Sequence, residues 1–189
     1  MSASHLDGGF ADPPRHAAHA FRGALQALSR PGRIERLDGA APPAPCSPAA
    51  GALLLTLCDT TTPLHLAPSH DSEDLRGWIA FHTGAPLVPA EAASFALGTW
   101  EALAPVSRFA FGTAEYPDRA ATLIVEVARL EAAGARLTGP GIETSAALSL
   151  PEIGAFRENR ARFPLGFDCF FTCADRVAGL PRSTRVEEG

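Results

Sequence analysis

The chain has 189 residues, 46% of them hydrophobic, and a formal net charge of -5, which predicts one folded domain with a buried core. This charge provides no basic field, so neither nucleic acid nor an anionic membrane is expected as a partner. All 16 Lys and Arg residues are arginine. Without a lysine amine, the chain builds neither a pyridoxal phosphate Schiff base nor a Walker A loop.

The N-terminal half predicts helices that alternate with short strands. Asp12 followed by Pro13 and Pro14 is typical of a helix start, and Pro31-Gly32 ends this first helix. The apolar run 49–58 favours a buried helix over a strand. Further elements are predicted as strands at 33–37 and 64–66 and a helix from Ser72 to about His82.

The C-terminal half predicts the centre of a sheet. Residues 121–130 are apolar on both faces, which indicates a central strand, and Glu126 within it needs a partner such as an arginine or another subunit. Other expected elements are a strand at 94–97, an ambiguous segment at 102–109, a helix at 151–162 and strands after 168. About four helices and six or seven strands favour an α/β fold, a single domain over 1–189 with a mixed sheet flanked by helices. Flexible termini are expected at 1–10 and 187–189.

Two motifs are expected to have structural roles. In the block Phe163-Pro164-Leu165-Gly166-Phe167-Asp168, proline stops a helix, Gly166 permits a bend, and Asp168 accepts backbone hydrogen bonds in a turn. Gly139-Pro140-Gly141 predicts a tight turn between strands. The alternative for this second motif is a phosphate loop, although Pro140 removes one N–H donor.

The candidate binding residues lie near the C-terminus. Arg182, Thr184 and Arg185 combine guanidinium groups with a hydroxyl, which suits phosphonate or carboxylate oxygens. The alternative is a solvated tail or one bonded at an interface. His65, His82 and Asp168 are acid–base candidates by residue type, but no spacing joins them, so no catalytic residue is assigned.

The sequence gives no pattern for a metal site or for membrane insertion. The four cysteines form no CxxC pair, and His16 and His19 are interpreted as exposed helix histidines, so no metal is expected and the thiols are predicted to be buried and free. No signal segment or apolar span of about 20 residues is present. A soluble, cytoplasmic protein is expected.

The motifs taken together resemble the PhnH family, subunits of the bacterial phosphonate carbon–phosphorus lyase system. The resemblance covers residues 10 to 187 in order. The segments that carry it are His19-Ala20-Phe21-Arg22, Ser29-Arg30-Pro31-Gly32, Phe81-His82-Thr83-Gly84-Ala85-Pro86, Gly112-Thr113 with 121–124, Leu137-Thr138-Gly139-Pro140-Gly141-Ile142, Phe163–Asp168 and Leu180-Pro181-Arg182.

The resemblance implies a fold like the large domain of pyridoxal phosphate-dependent transferases, without the cofactor. It also implies a homodimer when isolated and a place beside the PhnG, PhnI and PhnJ subunits. The resemblance further implies that PhnG, PhnH and PhnI, with an associated ATP-binding-cassette protein, act in the displacement of adenine from ATP by methylphosphonate, which yields ribose 1-methylphosphonate 5-triphosphate. Cleavage of the carbon–phosphorus bond belongs to the iron–sulfur subunit PhnJ, whose clustered cysteines this chain lacks.

Three hypotheses about function remain open at this point. The first is a structural or assembly subunit that is not catalytic alone. The second has Arg182, Arg185 and Asp168 contribute contacts to substrate oxygens in the transferase site across an interface. The third is an independent small hydrolase or a protein that binds phosphonates or nucleotides.

Overall fold

A computed structural model describes residues 6–189, and these form five α-helices and nine β-strands. The helices are α1 Pro13–Ser29, α2 Pro48–Leu57, α3 Glu73–His82, α4 Trp100–Leu103 and α5 Gly154–Ala161. The strands are β1 Ile34–Arg36, β2 Leu64–Leu66, β3 Phe95–Thr99, β4 Thr122–Glu126, β5 Ala135–Thr138, β6 Ala146–Leu148, β7 Asp168–Cys173, β8 Arg176–Leu180 and β9 Arg185–Glu187.

Six of the strands form a mixed sheet in the order β1-β8-β7-β4-β3-β2. Strands β2, β3, β4 and β7 run parallel, whereas β8 and β1 are antiparallel to their neighbours. The predicted mixed sheet is confirmed, and the predicted central strand is β4, which pairs on both sides. A second, antiparallel sheet has the order β6-β5-β9. The sequence predicted only one sheet.

Alternating side chains of the large sheet bury two apolar layers. Leu97, Ile124 and Phe170 pack in one core with α1, α2 and α3, while Leu123 and Phe171 belong to the other core, with residues of α4, α5 and the small sheet. The large sheet is therefore the middle layer, buried on both faces as expected for parallel strands.

The remaining differences from the predicted elements concern short segments. Strand β4 ends at Glu126 rather than at 130, and the ambiguous segment 102–109 holds the end of α4 and a 3-10 turn at Val106–Arg108. The structure contains more elements than predicted. The additional ones include α4, β6 and β9, which span only three or four residues each. Such short elements lack the repeated apolar periodicity on which sequence prediction depends.

The backbone of helix α1 lies directly against the large sheet. Its buried residues are Ala20, Ala24 and Ala27, and a Cβ atom at Gly179 of β8 would lie 2.7 Å from the backbone of Ala27. Small side chains on both elements therefore allow the helix backbone to approach the strand directly.

The segment Gly139-Pro140-Gly141 forms a tight turn. Ile142 N–H donates to the Gly139 carbonyl (3.1 Å), and Gly141 has a φ of 80°. A side chain at Gly141 would overlap the carbonyl oxygen of Ser29 at the end of α1. The Gly139-Pro140-Gly141 segment is therefore the turn after β5, fitted against α1.

The block around Phe163–Asp168 connects α5 to β7. The bond between Phe163 and Pro164 is cis, and Gly166 adopts a φ of 121°. The Asn159 amide of α5 donates to the Phe167 carbonyl (2.8 Å) and accepts from the Phe167 N–H (2.9 Å). This buried side chain thus pairs with the backbone as a neighbouring strand would.

The structure gives partial information on the termini and the thiols. Residues 1–5 of the predicted flexible N-terminus lie outside the described residues, whereas the Asp7 carbonyl accepts from Trp78 Nε1 (3.0 Å). Their flexibility stays a prediction.

The four cysteines are free. Cys46, Cys58 and Cys169 are buried as predicted, whereas Cys173 is only half-buried. Among residues 6–189, no helix is long and apolar enough to cross a membrane.

Candidate functional site

The carboxyl ends of the parallel strands bring polar residues into register. Thr99 ends β3 and aligns with Glu126 at the end of β4, and Glu126 aligns with Thr172 of β7. Open α/β sheets bind ligands at this edge because loops and helix N-termini converge there. This edge is therefore the first place to look for a functional site.

Glu126 lies at the N-terminus of α2. Its Oε1 accepts a hydrogen bond from the backbone N–H of Ser47 (2.7 Å), and Ser47 caps the helix by accepting from the Ala50 N–H (3.2 Å). Burial raises the pKa of Glu126, and the bonds from Ser47 oppose this in part. A partner such as an arginine or another subunit was expected for Glu126. Its partner within the chain is instead the N-terminus of α2, whose positive dipole end favours a carboxylate.

A cavity of about 380 Å³ adjoins Glu126. Its charged lining residues are Glu101, Glu126 and Arg129, and Arg129 is itself 3.4 Å from Glu131. Trp100 closes one side and donates from Nε1 to Glu152 Oε2 (3.0 Å). With two carboxylates and one paired guanidinium, the lining has no excess positive charge to attract an anion.

The Arg182 side chain is held within the protein by Asp168. Arg182 Nη2 is 2.5 Å from Asp168 Oδ2, and the Arg182 backbone N–H donates to Asp168 Oδ1 (2.8 Å). Arg182 Nη1 donates to the Pro117 carbonyl (2.7 Å). Only 14% of the Arg182 side chain and 24% of Asp168 are exposed. Asp168, the first residue of β7, therefore accepts from the backbone of a residue beyond β8 rather than from a turn next to Gly166.

The three predicted anion-binding residues have different environments. Arg182 is engaged by Asp168, whereas Arg185 is exposed in β9 and pairs with Thr138. Thr184 is buried, and its hydroxyl has no hydrogen-bond partner among the described residues. Anion binding by these residues stays a prediction.

Of the histidines singled out in the sequence, His16 and His19 line one cavity on α1, whereas His65 and His82 contact different backbone carbonyls. His65 Nδ1 contacts the Val88 carbonyl, and His82 Nε2 contacts the Asp7 carbonyl. His16 Nδ1 accepts from the Asp12 N–H, and His19 is exposed. Within the described part of the chain, no group of three or more His, Cys, Asp or Glu residues is placed to hold a metal.

Sequence reasoning missed one partly buried polar pair at the same sheet edge. Ser69 Oγ lies 2.9 Å from His70 Nδ1 and accepts from the Thr99 N–H (3.0 Å). His70 is buried, and burial lowers its pKa, so the neutral imidazole is favoured. The pair ties the chain after β2 to the end of β3. Adjacent serine and histidine residues form no recognisable motif, so the sequence offered no signal for it.

The comparisons with known proteins assign the class of this α/β chain. The family described as bacterial phosphonate metabolism protein (PhnH) matches residues 8–187. The chain therefore belongs to the PhnH family, and the predicted resemblance is confirmed.

Two curated relatives carry more specific names. The chain is 42% identical over 189 residues to "Alpha-D-ribose 1-methylphosphonate 5-triphosphate synthase subunit PhnH" of Rhizobium meliloti (strain 1021), covering 95% of this chain and 94% of that protein. It is 34% identical over 181 residues to "Putative C-P lyase subunit protein HtxG" of Stutzerimonas stutzeri, covering 88% and 84%.

Proposed function

We propose that this chain is an assembly subunit of the bacterial enzyme that forms ribose 1-methylphosphonate 5-triphosphate in phosphonate catabolism. Support comes from the family match over residues 8–187 and from the relative that is named a subunit of this synthase. The partners proposed are PhnG, PhnI and PhnJ. The chain organises the complex and is not catalytic alone.

One observation carries the assembly role: the predicted anion-binding residue Arg182 and the N-terminus of α2 are both engaged by the chain's own carboxylates. Asp168 engages Arg182, and Glu126 occupies the N-terminus of α2. ATP and methylphosphonate are both anions, and a self-sufficient site for them needs unpaired cationic or N–H groups. The described residues favour packing and assembly over substrate binding.

Three finer features belong to the same proposal. The mixed sheet is related to the large domain of pyridoxal phosphate-dependent transferases, but the chain uses no such cofactor because it has no lysine to bind the aldehyde. The isolated protein is a homodimer. It works in the cytoplasm, where ATP is available.

Reconstitution of the synthase with and without this chain tests the proposal. Formation of the ribose phosphonate from ATP and methylphosphonate is followed by phosphorus NMR, and assembly by light scattering after gel filtration. We expect omission to abolish both turnover and the assembled complex. Unchanged turnover without the chain would refute the proposal, and an intact complex that lacks turnover would instead favour a direct contribution to the site.

A further inference from the structure

Helix α1 has an apolar stripe that is exposed over most of its length, although Leu28 at its end packs against the core. Its inner face, Ala20, Ala24 and Ala27, already covers the sheet. Phe21 and Leu25 on another face are each 54% exposed. The complete stripe consists of Pro14, Ala18, Phe21, Leu25 and Leu28, of which only Leu28 is half-buried.

The spacing of this stripe is that of a helix that packs along another helix. Successive members are four, three, four and three residues apart, which is the heptad repeat that places apolar knobs along one seam. An apolar groove or a second helix on a partner contacts such side chains at every turn. An exposed Phe and Leu one turn apart form the centre of this surface.

Two arginines flank the stripe on one side. Arg15 and Arg22 are seven residues apart, so they occupy equivalent positions beside the seam. Arg15 is 3.9 Å from Asp12, with both side chains largely exposed, and such a pair contributes little. Arg22 forms no ion pair with any residue in the described range 6–189. Flanking charges of this kind select a partner helix by charge.

A second copy of the chain does not satisfy these arginines at this surface. Helix α1 contains no aspartate or glutamate, and the Asp12 that precedes it lies 3.9 Å from Arg15 of its own copy, so two copies of α1 packed about a twofold axis supply no unpaired carboxylate to Arg22. An antiparallel pair would instead bring the arginines of one copy towards those of the other. The charge pattern favours a different protein, one whose surface is acidic beside its apolar contact.

We infer that the α1 stripe docks a helix of a partner subunit, and that this helix carries an apolar seam flanked by Asp or Glu. The inference rests on the proposed function as a subunit and adds the surface used and the chemistry of the partner. Phe21 and Leu25 fill the seam, and Arg15 and Arg22 pair with the carboxylates.

Binding of variant chains to the co-purified PhnG, PhnI and PhnJ subunits tests this inference. The variant Phe21→Ser with Leu25→Ser removes the centre of the stripe, and we expect its affinity to fall about tenfold or more, as for buried anchors of an interface. Phe81→Ser is the matched control because Phe81 is 59% exposed but belongs to α3. Circular dichroism and thermal unfolding establish that each variant is folded.

A charge variant supplies a second readout. Replacing Arg15 and Arg22 by Gln should weaken binding and reduce its dependence on salt, since exposed ion pairs are screened. Wild-type affinity of the Ser double variant would overturn the docking surface while leaving the proposed function intact, as would an equal loss in Phe81→Ser. Failure of the wild-type chain to bind would overturn both. A lower mass of the isolated Ser variant would assign the stripe to a second copy and overturn the inference.

Discussion

At the scale of single residues, two carboxylates determine how the chain uses its cationic groups. Asp168 accepts from both the backbone and the side chain of Arg182, so one residue holds the turn after β8 and neutralises a guanidinium. Glu126 plays a similar part at the N-terminus of α2. The contacts join residues that are 14 and 79 positions apart in sequence, and each therefore holds separate elements together.

The Asp168 contact predicts a stability effect at Arg182. Because the pair is largely buried, Arg182→Ala leaves a carboxylate without its partner and should lower the free energy of unfolding by about 2 kcal/mol. Arg185→Ala is the control, since Arg185 is exposed on β9 and should change it by less than about 0.5 kcal/mol. Urea unfolding measures both. Equal effects of the two substitutions would contradict the structural role of Arg182.

The raised pKa of Glu126 predicts a stability effect that depends on pH. The native protein holds the Glu126 proton above the unfolded value of 4.5, so stability from this group is complete below pH 4.5 and is lost as pH rises through the native pKa. Glu126→Gln keeps an acceptor for Ser47 without the charge. We therefore expect the variant to be more stable than wild type at pH 7, by about 1 kcal/mol or less.

Unfolding in urea at pH 7 and at pH 4.5 checks the Glu126 prediction, because the advantage of Gln should shrink at the lower pH. Glu101→Gln is the control: Glu101 is exposed and lines the same cavity. A constant difference between the Glu126 variant and wild type at both pH values would argue against the role of burial.

At the scale of elements, a single side chain connects α5 to β7. The Asn159 amide satisfies both backbone groups of Phe167, and Gly166 leaves room for that amide because a Cβ there would strike its oxygen. This explains physically why a helix, a bend and a strand follow one another so closely. The contact between α5 and the segment that leads into β7 therefore depends on one polar residue.

Removal of the Asn159 amide should therefore be costly. In Asn159→Ala the buried N–H and C=O of Phe167 lose their partners, and we expect the free energy of unfolding to fall by about 2–4 kcal/mol. Glu158→Ala, at an exposed neighbouring position, should be near neutral. Chemical denaturation compares them. A loss below about 1 kcal/mol for Asn159→Ala would mean that water replaces the amide.

Most elements could be predicted from the sequence because their signals are local. The Asp12-Pro13-Pro14 start and the Pro31-Gly32 end of α1 are examples, as is the apolar run that forms α2. The candidate site could not be predicted in the same way. The partner of Glu126 is 79 residues away and that of Trp100 is 52 residues away, and a single sequence gives no pairing between such distant segments.

At the scale of the whole molecule, α1 connects the core to a surface. Its alanine face closes one apolar layer of the large sheet, and its Phe21 and Leu25 face outward. Gly179 fixes the separation between α1 and β8 because the Ala27 backbone lies against it. The position of the α1 stripe therefore depends on Gly179 of β8, which packs against the inner face of the helix.

Gly179→Ala should disturb this contact. The added methyl would lie 2.7 Å from backbone atoms of Ala27, so α1 must shift, and we expect a loss of about 2–3 kcal/mol in the free energy of unfolding. Gly154→Ala is the control, because a Cβ there meets only Glu152 at 3.7 Å and favours the first turn of α5. Thermal unfolding checks the pair. A neutral Gly179→Ala would show that α1 can move away without cost.

The contact between Gly179 and α1 has a dynamic consequence. A helix whose backbone rests directly on a central layer has little freedom to rotate or fray, so its outer side chains are already ordered before any partner arrives. Amide protons of α1 in the isolated chain should exchange with solvent as slowly as those of β8. Association at this helix would then proceed as rigid docking, without a folding step that slows it.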